Sequence, residues 1–351
     1  MYHFVYLLLP FQILFSNVTV TLSEHNLDKI LRKQETFFSN SKPDVKLNEK
    51  EMTRKAKDII GAYEDYLSSN PDDINALILY GKFLRKVGQG DYAIEFFIRA
   101  DDLNPRIAVV KQQIANYLIE NNQPVEAFPY IVLTVELEPQ RSVYHYDLGN
   151  FLYLFSNELV DSNILSEKSV MSLMHKSFKQ ASLLEPENID IQLRYAQSFF
   201  DFTDSNKTEA LEVWSSLEKK FDKKSKLEQE YIKLCQAKTL IKLERRNEAI
   251  NIIKTITSEK LGKTKNVILQ ECMNSRNKND LKKPSKNIQN KQSNIEPDFK
   301  NYLPEDPQLE RLKLLTNKLI ENKMLENLRI DAIKAVYNQS GEIQIQITKS
   351  P

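Results

Sequence analysis

Residues 71–105 read PDDINALILYGKFLRKVGQGDYAIEFFIRADDLNP, and this stretch decides the fold. Its first half predicts an amphipathic helix, because small and apolar residues recur there at helical spacing. These residues are Leu77, Tyr80, Gly81 and Leu84. Two glycines then favour a turn, and the second half repeats the helical spacing with Ala93, Phe97 and Ala100. The stretch therefore predicts a helical hairpin that ends at a proline.

The prolines recur at the period of this hairpin. Pro71, Pro105 and Pro139 are 34 residues apart, and a helical hairpin repeated every 34 residues is typical of the tetratricopeptide repeat (TPR). The chain resembles the TPR family over roughly residues 53–261. This resemblance implies an all-α, right-handed solenoid of about five helical hairpins with a capping helix at each end.

Two positions of the family's 34-residue frame carry the resemblance. Position 8 of the first helix is small in every copy, with Gly81, Ala115, Gly149, Ala196 and Ala237. Position 24 in the second helix is bulky, with Phe97, Ile131, Phe178, Trp214 and Ile253. We therefore expect the two helices of each hairpin to pack closely.

The array is predicted over residues 53–273. Its repeats are predicted near residues 74–107, 108–141, 142–188, 189–224 and 230–261. Residues 53–69 are predicted to be the second helix of a repeat whose first helix is missing or degenerate, and to act as the N-terminal cap. Pro139 and Pro186 are 47 residues apart, 13 more than the period. This insertion in the third repeat is either part of a binding site or a tolerated surface loop.

The N-terminus is predicted to be a signal peptide over residues 1–23. The run FVYLLLPFQILF at residues 4–15 is apolar, and Thr21 and Ser23 are small residues at a plausible cleavage site. An uncleaved membrane anchor over residues 4–22 is the main alternative, and a buried helix is the other. The prediction is an exported protein, periplasmic or secreted, with membrane association through the N-terminus left open.

The segments that flank the array are polar. Residues 24–52 are predicted to be a tether with one short helix around residues 27–38, and residues 274–305 a disordered linker. An amphipathic helix is predicted over residues 306–338. The tail at residues 339–351 alternates isoleucine with polar residues, which predicts a strand. No partner strand is identified in the chain, so strand addition to another protein is a hypothesis.

The sequence gives no indication of catalysis. Seven glycines in 351 residues argue against glycine-rich phosphate loops, and no H-E-x-x-H or G-x-S-x-G motif occurs. Cys235 and Cys272 are predicted to be buried thiols, or one bridge if the protein is exported. His145 is predicted to be a packed repeat residue. A net charge of +1 argues against a nucleic-acid partner. The chain is therefore predicted to be a non-enzyme without cofactor, metal or nucleic-acid partner.

The resemblance implies that positions on the first helices line a concave groove. Carried onto this sequence, they give ten peptide-binding candidates: Lys82, Arg85, Gln112, Asn116, Tyr146, Asn150, Tyr153, Gln197, Phe200 and Lys238. Amides can bond to both backbone groups of a peptide, and aromatic rings provide rigid contact area. Among these positions the cations lie only at the two ends, which argues against acidic chaperone tails as ligands.

These observations predict a non-catalytic scaffold that binds protein or peptide outside the cytoplasm. The alternative is a cell-envelope structural or assembly protein that works through its C-terminal helix or strand.

Overall fold

The structure is a computed structural model, and it describes residues 21–39, 48–274 and 333–347. Most of the predicted signal peptide, almost all of the predicted linker and residues 306–332 of the predicted amphipathic helix lie outside these ranges. The chain divides into two compact units. Unit 1 comprises residues 1–105 and 313–351, and unit 2 comprises residues 106–312.

Unit 1 contains four helices and two strands among its described residues. The helices are α1 (Leu22–Ser39), α2 (Glu49–Ser69), α3 (Ile74–Lys86) and α4 (Gly90–Leu103). The strands are β1 (Ile333–Tyr337) and β2 (Ile343–Ile347). They form an antiparallel hairpin in which Ile333 lies opposite Ile347 and Tyr337 opposite Ile343.

Helix α1 contains the short helix that the sequence predicts within residues 24–52 and extends it at both ends. It packs against α2 and buries Leu27, Ile30 and Phe37, which recur on one helical face. The hydroxyl of Tyr63 on α2 also donates to Oε1 of Gln34 at 2.8 Å. The predicted short helix is therefore present, but it is longer than predicted and packs on α2, so Leu22–Ser39 is not a free tether. Residues 53–69 belong to a helical pair, so they do not lack a first helix.

The first turn of α1 is capped by Thr21. Its hydroxyl accepts from the backbone N–H of Glu24 at 3.2 Å, and the Glu24 carboxylate accepts from the backbone N–H of Thr21 at 2.8 Å. This reciprocal pair is a capping box. Cleavage after Ser23, as the sequence predicts, would remove Thr21 and with it the cap of this helix.

The β-hairpin packs against α2 and the turn between α3 and α4. The Ala335 N–H donates to Oγ1 of Thr53 at 2.8 Å, and the Ile345 N–H donates to the carbonyl of Val87, also at 2.8 Å. Nε2 of Gln89 donates to the carbonyl of Ile345 at 2.6 Å. Four apolar side chains of the hairpin are buried: Ile333, Ala335, Ile343 and Ile345.

Two expectations for the C-terminal region are thus corrected. The amphipathic helix predicted over residues 306–338 does not extend through residues 333–337, which form β1. The strand predicted in the tail pairs with β1 of its own chain, so it does not lack a partner. β1 also bonds to α2, and β2 bonds to the turn between α3 and α4, which leaves strand addition to another protein without support.

Unit 2 contains ten α-helices among its described residues. They are α5 (Ala108–Glu120), α6 (Pro124–Leu137), α7 (Ser142–Leu154), α8 (Ser156–Asp161), α9 (Glu167–Leu184), α10 (Ile189–Asp201), α11 (Lys207–Lys220), α12 (Lys226–Lys242), α13 (Arg246–Lys254) and α14 (Gly262–Asn274). A 3-10 turn, Glu259–Leu261, precedes α14. The insertion of the third repeat forms α8, and its Leu159 is fully buried.

The turns inside three hairpins share one backbone geometry. Gly88, Asn122 and Glu244 all have positive φ angles, of 80°, 57° and 62°. The following N–H reaches back five residues to a helix carbonyl, as from Gln123 to Leu118 at 2.9 Å. This left-handed C-cap ends the first helix and turns the chain towards the second.

Helix packing within a hairpin depends on the small position that the sequence analysis singled out. A Cβ added to Gly81 would lie 2.8 Å from Phe97, and one added to Gly149 would lie 2.7 Å from Phe178. In later pairs Ala196 packs with Trp214, and Ala237 packs with Ile253. The last pair is covered by α14 through Ile268. The predicted all-α class is confirmed.

Candidate functional site

Eight of the ten predicted binding residues lie in unit 2, on α5, α7, α10 and α12. These are the first helices of four successive pairs. We call their side-chain surface the first-helix face, formed by Gln112, Asn116, Tyr146, Asp147, Asn150, Tyr153, Arg194, Gln197, Phe200, Lys238 and Lys242. Side-chain contacts join each of these helices to the next.

Helices α5 and α7 are joined by an amide and a carboxylate. Nε2 of Gln112 donates to Oδ2 of Asp147 at 2.6 Å. Burial raises the pKa of Asp147 to about 6, although the hydrogen bond from Gln112 acts in the opposite direction. The carboxylate is therefore charged at neutral pH but takes up a proton in mildly acidic solution. Sequence reasoning did not identify Asp147 as part of this surface.

Helix α7 contributes an aromatic ring and one amide to this face, and α5 contributes a second amide. Tyr146 packs edge-on against Phe178 of α9, with ring centroids 5.8 Å apart. Asn116 and Asn150 are half-buried, so each presents part of its amide to solvent. Each amide has both a donor and an acceptor, which suits contact with the backbone of an extended segment.

Arg194 of α10 is held between two aromatic rings. Its guanidinium lies 4.5 Å from the ring centroid of Tyr153 and 4.2 Å from that of Phe178. Nη1 forms an ion pair with Oδ2 of Asp201 at 3.0 Å. Nη2 is buried and has no hydrogen-bond partner among the described residues. Stacking and ion pairing fix the position of this cation, while Tyr153 remains 50% exposed.

Helices α10 and α12 are joined by amide and cation–π contacts. Nε2 of Gln197 donates to the Tyr231 hydroxyl at 3.1 Å. The ammonium groups of Lys238 and Lys242 lie 4.7 and 5.1 Å from the ring centroid of Phe200. Burial lowers the pKa of Lys242, and the nearby charge of Lys238 lowers it further. Lys238 and Lys242 lie on the last of the four helices, where a cation was expected, whereas Arg194 on α10 is a cation away from that end.

The remaining two candidates, Lys82 and Arg85, lie on α3 in unit 1. The Lys82 side chain is exposed, but the surrounding protein lowers its pKa by partial desolvation. Arg85 is half-buried.

The side chains of His145, Cys235 and Cys272 have structural roles. Nε2 of His145 lies 2.8 Å from the carbonyl oxygen of Pro139, and the residue is 3% exposed, which supports the prediction of a packed repeat residue. Cys235 and Cys272 are buried free thiols, as predicted. Burial raises the pKa of Cys235 to about 12, so it is unreactive as a thiolate. Within the described residues no group of acidic, histidine or cysteine side chains could hold a metal ion.

Helix pairs at a 34-residue period, with a small residue of the first helix against a bulky residue of the second, are the defining geometry of the TPR hairpin. This is a TPR-type fold. The TPR fold predicted from the sequence is confirmed.

No family model and no curated protein sequence matches this chain. Solved structures do resemble it. YrrB, described as a TPR protein with an unusual peptide-binding site, has 14% identity and a TM-score of 0.44, over 62% of this chain and 98% of YrrB. PilF of Pseudomonas aeruginosa has 13% identity and a TM-score of 0.41, over 71% and 99%. PilW, a type IV pilus biogenesis factor, has 14% identity and a TM-score of 0.40, over 67% and 98%.

Three residues of the first-helix face, Asp147, Arg194 and Lys242, were not among the candidates, and the TPR frame explains the first two. Asp147 and Arg194 each precede the small residue of their helix by two positions. That position is not among those that the frame places in the groove. A useful signal was available in the residue types. Both residues are charged, and a charged side chain that is partly buried on a helix has to be paired or stacked.

Proposed function

We propose that the chain is a non-catalytic scaffold that binds an extended peptide or a helix of a protein partner on the first-helix face. The observation that carries this proposal is the unbroken series of contacts from α5 to α12. Gln112 bonds to α7, Arg194 of α10 stacks on Tyr153 of α7, and Lys238 of α12 lies over Phe200 of α10. A ligand would meet side chains that are already held in place, so it would lose less entropy on binding.

The charges on this face favour a ligand with a definite polarity. Asp147 lies at the α5–α7 side, and Arg194, Lys238 and Lys242 lie on α10 and α12. Within the described part of the chain, Arg194 alone among these cations forms an ion pair, with Asp201. A segment with basic character near α7 and acidic character near α12 would match the face, and its binding would weaken with added salt.

A random peptide library displayed on phage tests the proposal. Peptides selected on the wild-type protein should bind at least about tenfold more weakly when Asn116, Tyr146 and Asn150 are together replaced by Ala. The reason is that the loss of such interface anchors costs more than about 1.4 kcal/mol of binding free energy. A matched control replaces three exposed residues of second helices, Glu136, Glu212 and Lys219, by Ala. Equal loss in both variants, or no loss in either, would show that the ligand lies elsewhere.

We also propose that the protein acts outside the cytoplasm, on the strength of the apolar run at residues 4–15 and the small residues Thr21 and Ser23. No helix of the described part of the chain is long and apolar enough to cross a membrane. N-terminal sequencing of protein recovered from cell fractions tests this. A new terminus at Glu24 in an extracytoplasmic fraction would support export, and an intact terminus in the cytoplasm would contradict it.

A further inference from the structure

A cleft of about 510 Å³ between α1 and α2 is lined mainly by cations. Lys29, Arg32 and Lys33 lie on the α1 side, and Arg54 and Lys55 on the α2 side; Asp58 is the single carboxylate in the lining. The floor is apolar, because Phe37 and Ile59 are each only 1% exposed. The proposed peptide-binding face involves none of these residues.

The positive charges of this basic cleft are only partly compensated. Arg32 pairs with Asp28 at 2.7 Å, Arg54 with Asp58 at 3.5 Å and Lys55 with Glu51 at 3.8 Å. Each pair joins residues one turn apart on the same helix. The pairs of Arg32 and Arg54 are largely exposed and so neutralise these cations weakly, and the longer pair of Lys55 is half-buried. In the described part of the chain, no ion pair crosses the cleft, and Lys29 and Lys33 have no acidic partner.

Cations on the two sides of a cleft repel, although water weakens this repulsion at exposed side chains as it weakens the ion pairs. The α1 residues nonetheless share one helical face, at positions 29, 32, 33 and 36. An anionic ligand between the helices would relieve this repulsion. The five cations are spread over two helices, so they match a surface with several anionic groups better than one small anion.

We propose that the basic cleft binds the headgroups of anionic phospholipids at a membrane surface. The sequence before α1 favours this occupant, because the apolar run at residues 4–15 ends seven residues before Leu22. Seven residues span at most about 25 Å. Lys29 lies a further seven residues along α1, about 10 Å. In a chain that keeps residues 1–23, which is the membrane-anchored alternative, a bilayer that takes up the apolar run therefore lies within about 35 Å of the cleft. Clusters of Lys and Arg beside such a segment bind anionic lipids, with roughly a fivefold gain in affinity per cation.

Co-sedimentation with vesicles tests this inference on the full chain. The readout is the ratio of binding to vesicles with 30 mol% phosphatidylglycerol over binding to pure phosphatidylcholine, so that insertion of the apolar run cancels. Replacing Lys29, Lys33 and Arg54 together by Glu should lower this ratio by at least about 100-fold, or to unity. The same three-charge reversal at Lys219, Lys223 and Lys224, which are exposed in unit 2, should leave it within about threefold.

Four outcomes would overturn the proposal. The first is a ratio of one for the wild type, and the second is an equal loss of the ratio in both variants. The third is loss of vesicle binding in 10 mM glycerol phosphate, which would identify a free phosphate as the occupant. Binding of a poly-Glu peptide in preference to phosphatidylglycerol vesicles would assign the cleft to acidic proteins instead. Circular dichroism checks that both variants are folded. Peptide binding at the first-helix face is measured separately, so failure of one proposal leaves the other intact.

Discussion

The ring of Phe178 occupies the space beside Gly149 that a side chain would need. A Cβ at Gly149 would lie 2.7 Å from one ring carbon and 2.8 Å from two others. Gly81 and Phe97 stand in the same relation, at 2.8 Å. In both hairpins the backbone of the first helix therefore rests directly on an aromatic ring of the second.

Replacing Gly149 by Ala should destabilise the protein by about 1 kcal/mol. Alanine favours a helix by about 1 kcal/mol over glycine, but overpacking of this kind typically costs about 1–3 kcal/mol, which outweighs that gain. The free energy of unfolding from urea titration measures the difference.

Gly262 provides the matched control. It begins α14, and a Cβ there would meet nothing within 4 Å. Gly262→Ala should be neutral or slightly stabilising. If Gly149→Ala also stabilises the protein, the close packing described for this hairpin is wrong.

Removing the Gln89 side chain should loosen the β-hairpin. Gln89→Ala deletes the hydrogen bond from Nε2 to the Ile345 carbonyl, and one such bond contributes about 1 kcal/mol. We expect faster proteolytic cleavage and faster amide exchange in residues 333–347. Gln123 occupies the equivalent position before α6 and makes no side-chain cap bond, so Gln123→Ala should leave both rates unchanged. Equal rates in the two variants would contradict the docking of the hairpin.

Asp147 should make the protein less stable as pH rises from 4 to 6. Its pKa is raised from 3.8 to about 6 by burial, so the folded state binds more protons than the unfolded state in this window. The slope of stability against pH is then negative, and its total is up to about 3 kcal/mol. Asp147→Asn should lose this dependence and become more stable than the wild type near pH 7. A pH-independent difference between the two proteins would show that the carboxylate is not buried.

His175 should have the opposite effect. Burial lowers its pKa from 6.5 to about 4, so the unfolded state binds more protons between those values. Its contribution is complete above about pH 6.5 and is lost as pH falls towards 4, by up to about 3 kcal/mol. His175→Asn keeps a polar atom near Nδ1 for the bond to Ser198 and should lose less stability on acidification. Greater acid sensitivity in this variant would contradict a neutral, buried imidazole.

The hairpins of the repeat were predictable because their signals are local. Helical spacing, a small residue at Gly81 or Gly149 and a closing proline all fall within 34 residues. Helix α1 was less visible, since its buried residues lie among charged ones and the link to α2 carries no repeat signal. Its role depends on contacts such as Tyr63 with Gln34, which periodicity does not report.

The strand β1 was mistaken for the end of a helix. Ile333 and Val336 continue a three- and four-residue spacing, so the pattern alone favours a helix. The tertiary context decides otherwise, because Ala335 bonds to Thr53, 282 residues away. On the first-helix face, residue types at family positions located most of the surface. They missed Arg194, whose place is set by rings on two other helices.

Docking of the β-hairpin on α2 has a consequence for biosynthesis. A ribosome that has just made Thr53 must add 282 more residues before Ala335 exists to bond with it. At about 5–20 residues per second, this takes roughly 15–60 s. All of unit 2 is translated in that interval. Until then, the apolar surface of α2 that the β-hairpin will cover remains uncovered by it. The first helices made are thus among the last to reach their final packing, and a chaperone or a translocation machine has that interval in which to engage them.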